Sequence, residues 1–388
     1  KERDSAQPEL LEKIMNKDNL NRAFKRVKAN KGAPGVDEIT VNEISAYLRE
    51  NQKAIIERIY RGKYTPNPVK RVEIPKPDGG IRKLGIPTVK DRILQQAITQ
   101  QLMPIYEAIF SDNSYGYRPG KSAKDGITKV KEYAEQGYTH AVSLDLSKYF
   151  DTLNHEMLLN ILRRDIKDER VIQWIKRYLK SGVMENGVVV ETEEGSPQGG
   201  NISPLLANIY LNEFDHEFEK RKVAFVRYAD DIVILAKSDR AAKRLLETST
   251  KYLEEKLKLK VNQKKSRVVS VFAIRNFKFL GFTLGKNGKG IYVRAHAKSW
   301  KKMKSKLKEL SSRRFVQSIR PALEKIKVYM RGWLNYYGIA EMKNRIEELN
   351  KWLYHRIRMC IWKQWKKPRT KVKNLRKMGV PEDLAWQA

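Results

Sequence analysis

An α+β body followed by a basic, all-helical domain is the fold class that this 388-residue sequence predicts, and three observations predict it. Short apolar runs flank tight-turn residues in RVEIPKPDGGIRKLGIP and AFVRYADDIVILA, the pattern of hairpins in a small antiparallel sheet. Amphipathic helical segments alternate with those runs. Residues 295–377 are helical in pattern and hold 25 Lys+Arg against 5 Asp+Glu, which is +20 of the chain's total of +34.

The elements follow in order. Residues 9–28 and 43–60 read as amphipathic helices joined by the turn-rich stretch NKGAPGVDEIT. A hairpin is predicted around Pro77-Asp78-Gly79-Gly80, and then a helix over 89–109 with Ile93, Leu94, Ala97, Ile98 and Leu102 on one side. HAVSLDL, residues 140–146, reads as a strand. After Gly199-Gly200, Ser203 is placed to cap a helix with Pro204 at its first position, and Leu206, Ile209, Tyr210, Phe214 and Phe218 give that helix its apolar face. AFVRYADDIVILA reads as strand, tight turn, strand, and a second hairpin is expected to turn at Lys286-Asn287-Gly288. In the basic segment Ile346, Leu349, Leu353, Ile357 and Ile361 recur at helix spacing. Its Trp and Tyr residues suit packing between helices, whereas its lysines cannot be core.

Composition excludes several classes. A surface at +34 repels itself and calls for a polyanion, nucleic acid first and an anionic membrane surface second. No apolar run approaches the roughly 18 residues of a spanning helix. The N-terminal KERDSAQPEL shows no apolar core of a secretory signal. Cys360, the single cysteine, rules out an internal disulfide framework and a four-cysteine zinc site, and the five histidines are scattered. These features predict a cytoplasmic protein that binds nucleic acid and spans no membrane.

Two carboxylates, Asp230 and Asp231, interrupt apolar strand-forming runs, and Asp145 ends another. Adjacent acids alone suit an ordinary turn. Three acids from neighbouring strands form a hard oxygen site suited to Mg²⁺. Two such ions can activate a primer hydroxyl and stabilise the pyrophosphate that leaves. A basic chain with one acidic cluster suits that chemistry.

The ordered segments HAVSLDLSKYFD, GSPQGGNISPLLANIYL, FVRYADDIVILA, KVNQKKS and FKFLGF resemble the five central motifs of reverse transcriptases. NKGAPGVDEIT, KRVEIPKPDGGIRKLGIPTVKDRILQQAI and SYGYRPGKSA resemble the upstream blocks of group II intron reverse transcriptases, and RGWLNYYGIAEM resembles their thumb, or maturase, domain. The resemblance spans residues 10–378. It implies a right-hand polymerase with N-terminal extension and fingers over 1–139, palm over 140–294, helical thumb over 295–378 and a tail over 379–388.

Residue by residue, the resemblance implies a metal triad of Asp145, Asp230 and Asp231, with the Leu146 carbonyl as a further ligand to two Mg²⁺ (or Mn²⁺ in their place). Phe150 falls at the position of the steric gate against a ribose 2′-hydroxyl, which implies deoxynucleotides. Lys76 and Arg82 would grip the triphosphate, and Gln198 and Gly199 would lie against the new pair. Lys265 would give a proton to pyrophosphate, with Lys264 an open alternative. Arg118, Tyr228, Lys298, Lys301, Lys302 and Arg331 are the expected contacts to nucleic acid. Implied partners are an RNA template, group II intron RNA, a DNA primer or target and dNTPs, with monomer or homodimer open. With one cysteine and little chain after the thumb, the zinc-bearing endonuclease of many relatives is expected to be absent. Recruitment to a host task such as CRISPR adaptation or phage defence, or a maturase acting mainly by RNA binding, stands as the alternative.

Overall fold

The computed structural model describes residues 9–75, 80–185, 188–190, 195, 199–314 and 318–387. Two compact units divide the chain: Lys1–Gly126 with His140–Val268, and Ile127–Thr139 with Val269–Ala388.

The first unit begins with α1 (Leu10–Met15) and α2 (Lys17–Ala29), so the helix expected over 9–28 is broken. Asn16 breaks it by turning its side chain to accept from the Asp18 amide. The buried Asn19 amide donates to the carbonyls of Ile14 at 2.8 Å and Ala97 at 3.0 Å, which ties this end of the chain to a later helix. After α3 (Ile44–Tyr60), β1 (Val69–Pro75) and β2 (Ile81–Ile86) pair antiparallel with Ile74 opposite Arg82. Helix α4 (Val89–Glu107) follows, and buried Asp91 in its first turn anchors both stems of that hairpin. Its carboxylate accepts from the Thr88 hydroxyl at 2.7 Å, just after β2, and from the Asn67 amide at 3.1 Å, just before β1. A third bond comes from the Tyr64 hydroxyl at 2.6 Å. A carboxylate so supplied with donors offsets the cost of its burial.

Helix α5 (Ala123–Glu135) follows. Then come β3 (His140–Leu144), α6 (His155–Asp165), α7 (Glu169–Leu179), β4 (Val183–Glu185) and β5 (Val188–Val190). Helix α8 (Ser203–Lys220) leads into β6 (Ala224–Tyr228), β7 (Asp231–Ala236), α9 (Asp239–Lys251) and β8 (Arg267–Ser270). One sheet runs β2-β1-β4-β5 and another β6-β7-β3-β8. Phe214 of α8 stacks on Phe218 at 4.1 Å and meets Phe225 of β6 edge-on at 6.0 Å, so α8 seals one face of β6. Ser203 is the first residue of α8 rather than its cap, and Ile202 occupies the cap position. Pro204 does fall in the first turn.

The second unit carries the hairpin β9 (Phe282–Asn287) and β10 (Gly290–Ala295), which turns at Gly288-Lys289, one residue later than expected. Helices α10 (Ala297–Leu310), α11 (Ile319–Tyr337), α12 (Lys343–Gln364), α13 (Pro368–Lys377) and α14 (Glu382–Gln387) complete it. Phe282 packs on Tyr336 and Tyr337, and Trp333 on Tyr337 and Trp300, so the hairpin belongs with the helices; Phe282 and Trp333 are buried, whereas Tyr336 is partly exposed. Trp352 instead carries the cations of Lys304 and Arg356 on its ring. Among the described residues, no helix is long and apolar enough to cross a membrane.

Candidate polymerase site

Pairing of β6 with β7 runs to Tyr228 opposite Asp231, so Ala229 and Asp230 alone make the turn. Two-residue hairpin loops need positive φ, and Ala229 supplies it at +56°. Asp230 therefore stands at the tip and Asp231 opens β7. Because β3 pairs with β7 up to Leu144 opposite Ile232, one further step brings Asp145 alongside Asp231. The segment around Val261 fixes Asp145 from the other side. Its amide donates to Ser266 Oγ at 3.0 Å and its carbonyl accepts from the Asn262 amide at 2.8 Å. Ser147 donates to the Lys260 carbonyl at 2.8 Å, so this bridge uses the groups of Asp145 and Ser147, and Leu146's own carbonyl stays out of it.

Burial pushes the Asp230 carboxyl above the ordinary carboxylate range, and the negative charge of Asp145 adds to the rise. Arg82 and Arg227 pull it back. Lys265 sets its ammonium 3.9 Å from Asp145 Oδ2, which distinguishes it from Lys264. Among the described residues, no three His, Cys, Asp or Glu side chains are gathered closely enough to hold a metal ion, so the three acids expected to converge do not form a closed cluster. Asp231 is exposed, and the Asp145 carboxylate has the Lys265 ammonium as its neighbour. The donors nonetheless suit a divalent cation, since they are carboxylates that repel each other and already attract a positive charge.

Of the residues expected at the nucleotide, Arg82 lies exposed on β2 within electrostatic reach of Asp230 and Tyr117. Phe150 is half-buried, edge-on to Tyr149 at 5.4 Å, and the Tyr149 hydroxyl is fixed on the Ala207 carbonyl at 2.6 Å. Gly199, at φ +131°, approaches β2 so closely that a Cβ would stand 2.4 Å from the Gly85 carbonyl oxygen. Lys76 and Gln198 lie outside the described residues. Tyr228 is half-buried beside Tyr117, and Lys298, Lys301, Lys302 and Arg331 are exposed on α10 and α11.

Arg118 corrects one expectation. It is 7% exposed, bonds Glu107 through Nε and Nη2, and donates from Nη1 to the carbonyls of Ser111 and Ser114, so its charge is spent inside the protein. Arg118→Ala should cost about 2 kcal/mol of unfolding free energy, because it strands buried acceptors. Chemical denaturation measures that loss; a changed salt dependence of RNA binding with intact stability would restore Arg118 to the nucleic-acid surface.

Sequence reasoning missed Tyr117, half-exposed with φ +56°, whose hydroxyl burial pushes upward, followed by the charge of Asp230. It also missed Arg227 and its partners Asp215 and Asn208. The available signal was a charged residue inside an apolar strand, two positions before the acidic turn.

Residues 74–284 match the family described as reverse transcriptase (RNA-dependent DNA polymerase), and residues 300–379 match the group II intron, maturase-specific domain. The chain is 35% identical to protein YkfC of Escherichia coli over 315 residues, covering 71% of this chain and 82% of that one. It is 34% identical over 249 residues to the group II intron-encoded protein LtrA of Lactococcus lactis, covering 64% of this chain and 40% of LtrA. It is 30% identical over 321 residues to the putative COX1/OXI3 intron 2 protein of Saccharomyces cerevisiae, covering 67% of this chain and 37% of that one. The two intron-encoded relatives are thus more than twice as long as the parts this chain matches. With the acidic turn inside the first matched segment and the basic helices inside the second, the chain belongs to the reverse transcriptase family, in its group II intron branch with a maturase-specific domain.

Proposed function

We propose that this chain extends a DNA primer with deoxynucleoside triphosphates along an RNA template, and that its basic helical unit binds folded group II intron RNA to assist splicing and mobility. The observation that carries the polymerase reading is the placement of Asp145 beside the Asp230-Asp231 turn, with Arg82 in electrostatic reach, on an otherwise strongly basic chain. Two Mg²⁺ held by Asp145, Asp230, Asp231 and the Leu146 carbonyl would supply the positive charge that favours an ionised primer hydroxyl and a departing pyrophosphate.

The chain's own side chains do the rest. Arg82 meets the triphosphate charge from β2. Lys265, whose Nζ lies 3.9 Å from Asp145 Oδ2, would protonate the leaving pyrophosphate. Phe150, half-buried against Tyr149, would exclude a 2′-hydroxyl from the incoming sugar. Primer extension on an RNA template, with dNTPs or rNTPs, tests the reading; a folded chain that binds RNA and extends nothing would leave only the splicing role.

Phe150→Val should raise rNTP incorporation relative to dNTP by roughly 10- to 100-fold, the discrimination that a few methylene-sized contacts provide. Competition between the two nucleotide classes in single-turnover extension measures it. Unaltered selectivity would remove Phe150 from the gate.

A further inference from the structure

Strand β6 turns Phe225 and Arg227 to the same face, and Phe225 meets α8 there. On α8, Asn208 and Asp215 are seven residues apart and so share a face. Arg227 and Asp215 are both 0% exposed. Arg227 Nε donates to Asp215 Oδ1 at 2.8 Å and Nη2 to Oδ2 at 2.5 Å. The remaining arm, Nη1, donates to Asn208 Oδ1 at 2.9 Å and to the carbonyl of Ala229, in the acidic turn, at 3.0 Å. Asn208 Nδ2 passes on to the Gly116 carbonyl at 2.7 Å. Gly116 lies so close to the turn that a Cβ would stand 2.4 Å from the Ala229 nitrogen. The turn is thus held at its carbonyl by Arg227 and closely backed at its amide side by Gly116, and Asn208 bonds to both Arg227 and Gly116.

Stability alone does not explain this arrangement. Desolvation offsets the attraction of a fully buried ion pair, and apolar residues of similar volume hold a core as well. What they cannot supply is a donor to the Ala229 carbonyl.

We propose that Arg227, braced by Asp215 and Asn208, is a positioning residue that sets the left-handed Ala229 and thereby aims the Asp230 carboxylate at the metal site. The proposal rests on the polymerase reading above. Partners one shell behind a metal ligand commonly change affinity or activity 10- to 100-fold when removed.

The test uses the full chain with Mn²⁺ as probe, titrated by electron paramagnetic resonance. Thermal unfolding without metal, primer–template affinity, and kcat and KM for dNTP are measured alongside. R227M/D215L should fold and bind primer–template as the wild type does. It should bind Mn²⁺ about 10-fold more weakly and show kcat about 100-fold lower with KM little changed. N208L keeps the ion pair, so it carries the same test should the double variant unfold, with an expected Mn²⁺ weakening of about 10-fold. A folded R227M/D215L or N208L with wild-type Mn²⁺ affinity and kcat overturns the proposal. If wild type and D230N/D231N titrate Mn²⁺ alike, the underlying metal assignment fails instead.

Discussion

Replacing Asp230 and Asp231 together by asparagine should lower primer extension by a factor on the order of 10³ or more. Asparagine keeps the shape of the side chain and suits a turn, so the β6–β7 hairpin should survive. What disappears is negative charge, and with it the affinity for the cations that the reaction needs. The stability effect should run the other way. The folded-state pKa of Asp230 is raised, by burial first and by Asp145 second. The folded protein therefore binds a proton more readily than the unfolded chain, and stability falls as pH rises from the ordinary carboxylate value through the raised one. The asparagine variant should lack that decline and, without metal at neutral pH, melt slightly higher than the wild type. Added Mg²⁺ should raise the melting temperature of the wild type and not of the variant, since only a ligand of the folded state stabilises it. Undiminished extension by a folded D230N/D231N would remove the two aspartates from the reaction.

The legible part of this site was what lies close in sequence. AFVRYADDIVILA announces its own turn, because two acids between apolar strand-formers leave no other place for the chain to reverse, and the structure turns at Ala229 and Asp230. The hairpin of β1 and β2, helix α4 and the basic helices were legible for the same reason, as local periodicity reports local structure. The misread residues owe their roles to distant partners. Arg118 looks like a surface cation in SYGYRPG, and Glu107, eleven positions earlier, makes it a buried one. Arg227 sits in a strand whose alternation leaves its orientation open, and only packing on α8 shows that Asp215 waits beneath it. Ser203 misled through capping preference: the helix starts one residue early, and its hydroxyl faces the tight backbone at Gly200.

The second large effect belongs to the helical unit. Neutralising Lys298, Lys301, Lys302 and Arg331 with glutamine should flatten the salt dependence of RNA binding. Each phosphate contact contributes roughly 0.7–0.9 to the slope of log affinity against log salt, so four should remove about 3. Between 50 and 200 mM salt, the wild type should then lose about 60-fold more affinity than the variant. All four side chains are exposed on α10 and α11, while Met303, Leu307 and Ile326 make the buried contacts of those helices, so folding stability should move by less than about 0.5 kcal/mol. A control with equal charge loss separates a local surface from bulk charge: Arg240, Lys243 and Arg244 are exposed on α9, in the other unit, and Lys237 is exposed just before it. If both quadruple variants shift the slope equally, the +34 of the chain acts as a diffuse attraction and α10 and α11 hold no dedicated RNA surface. If only the α10–α11 variant shifts it, while D230N/D231N still assists splicing, the maturase and polymerase functions occupy separable sets of residues on one chain.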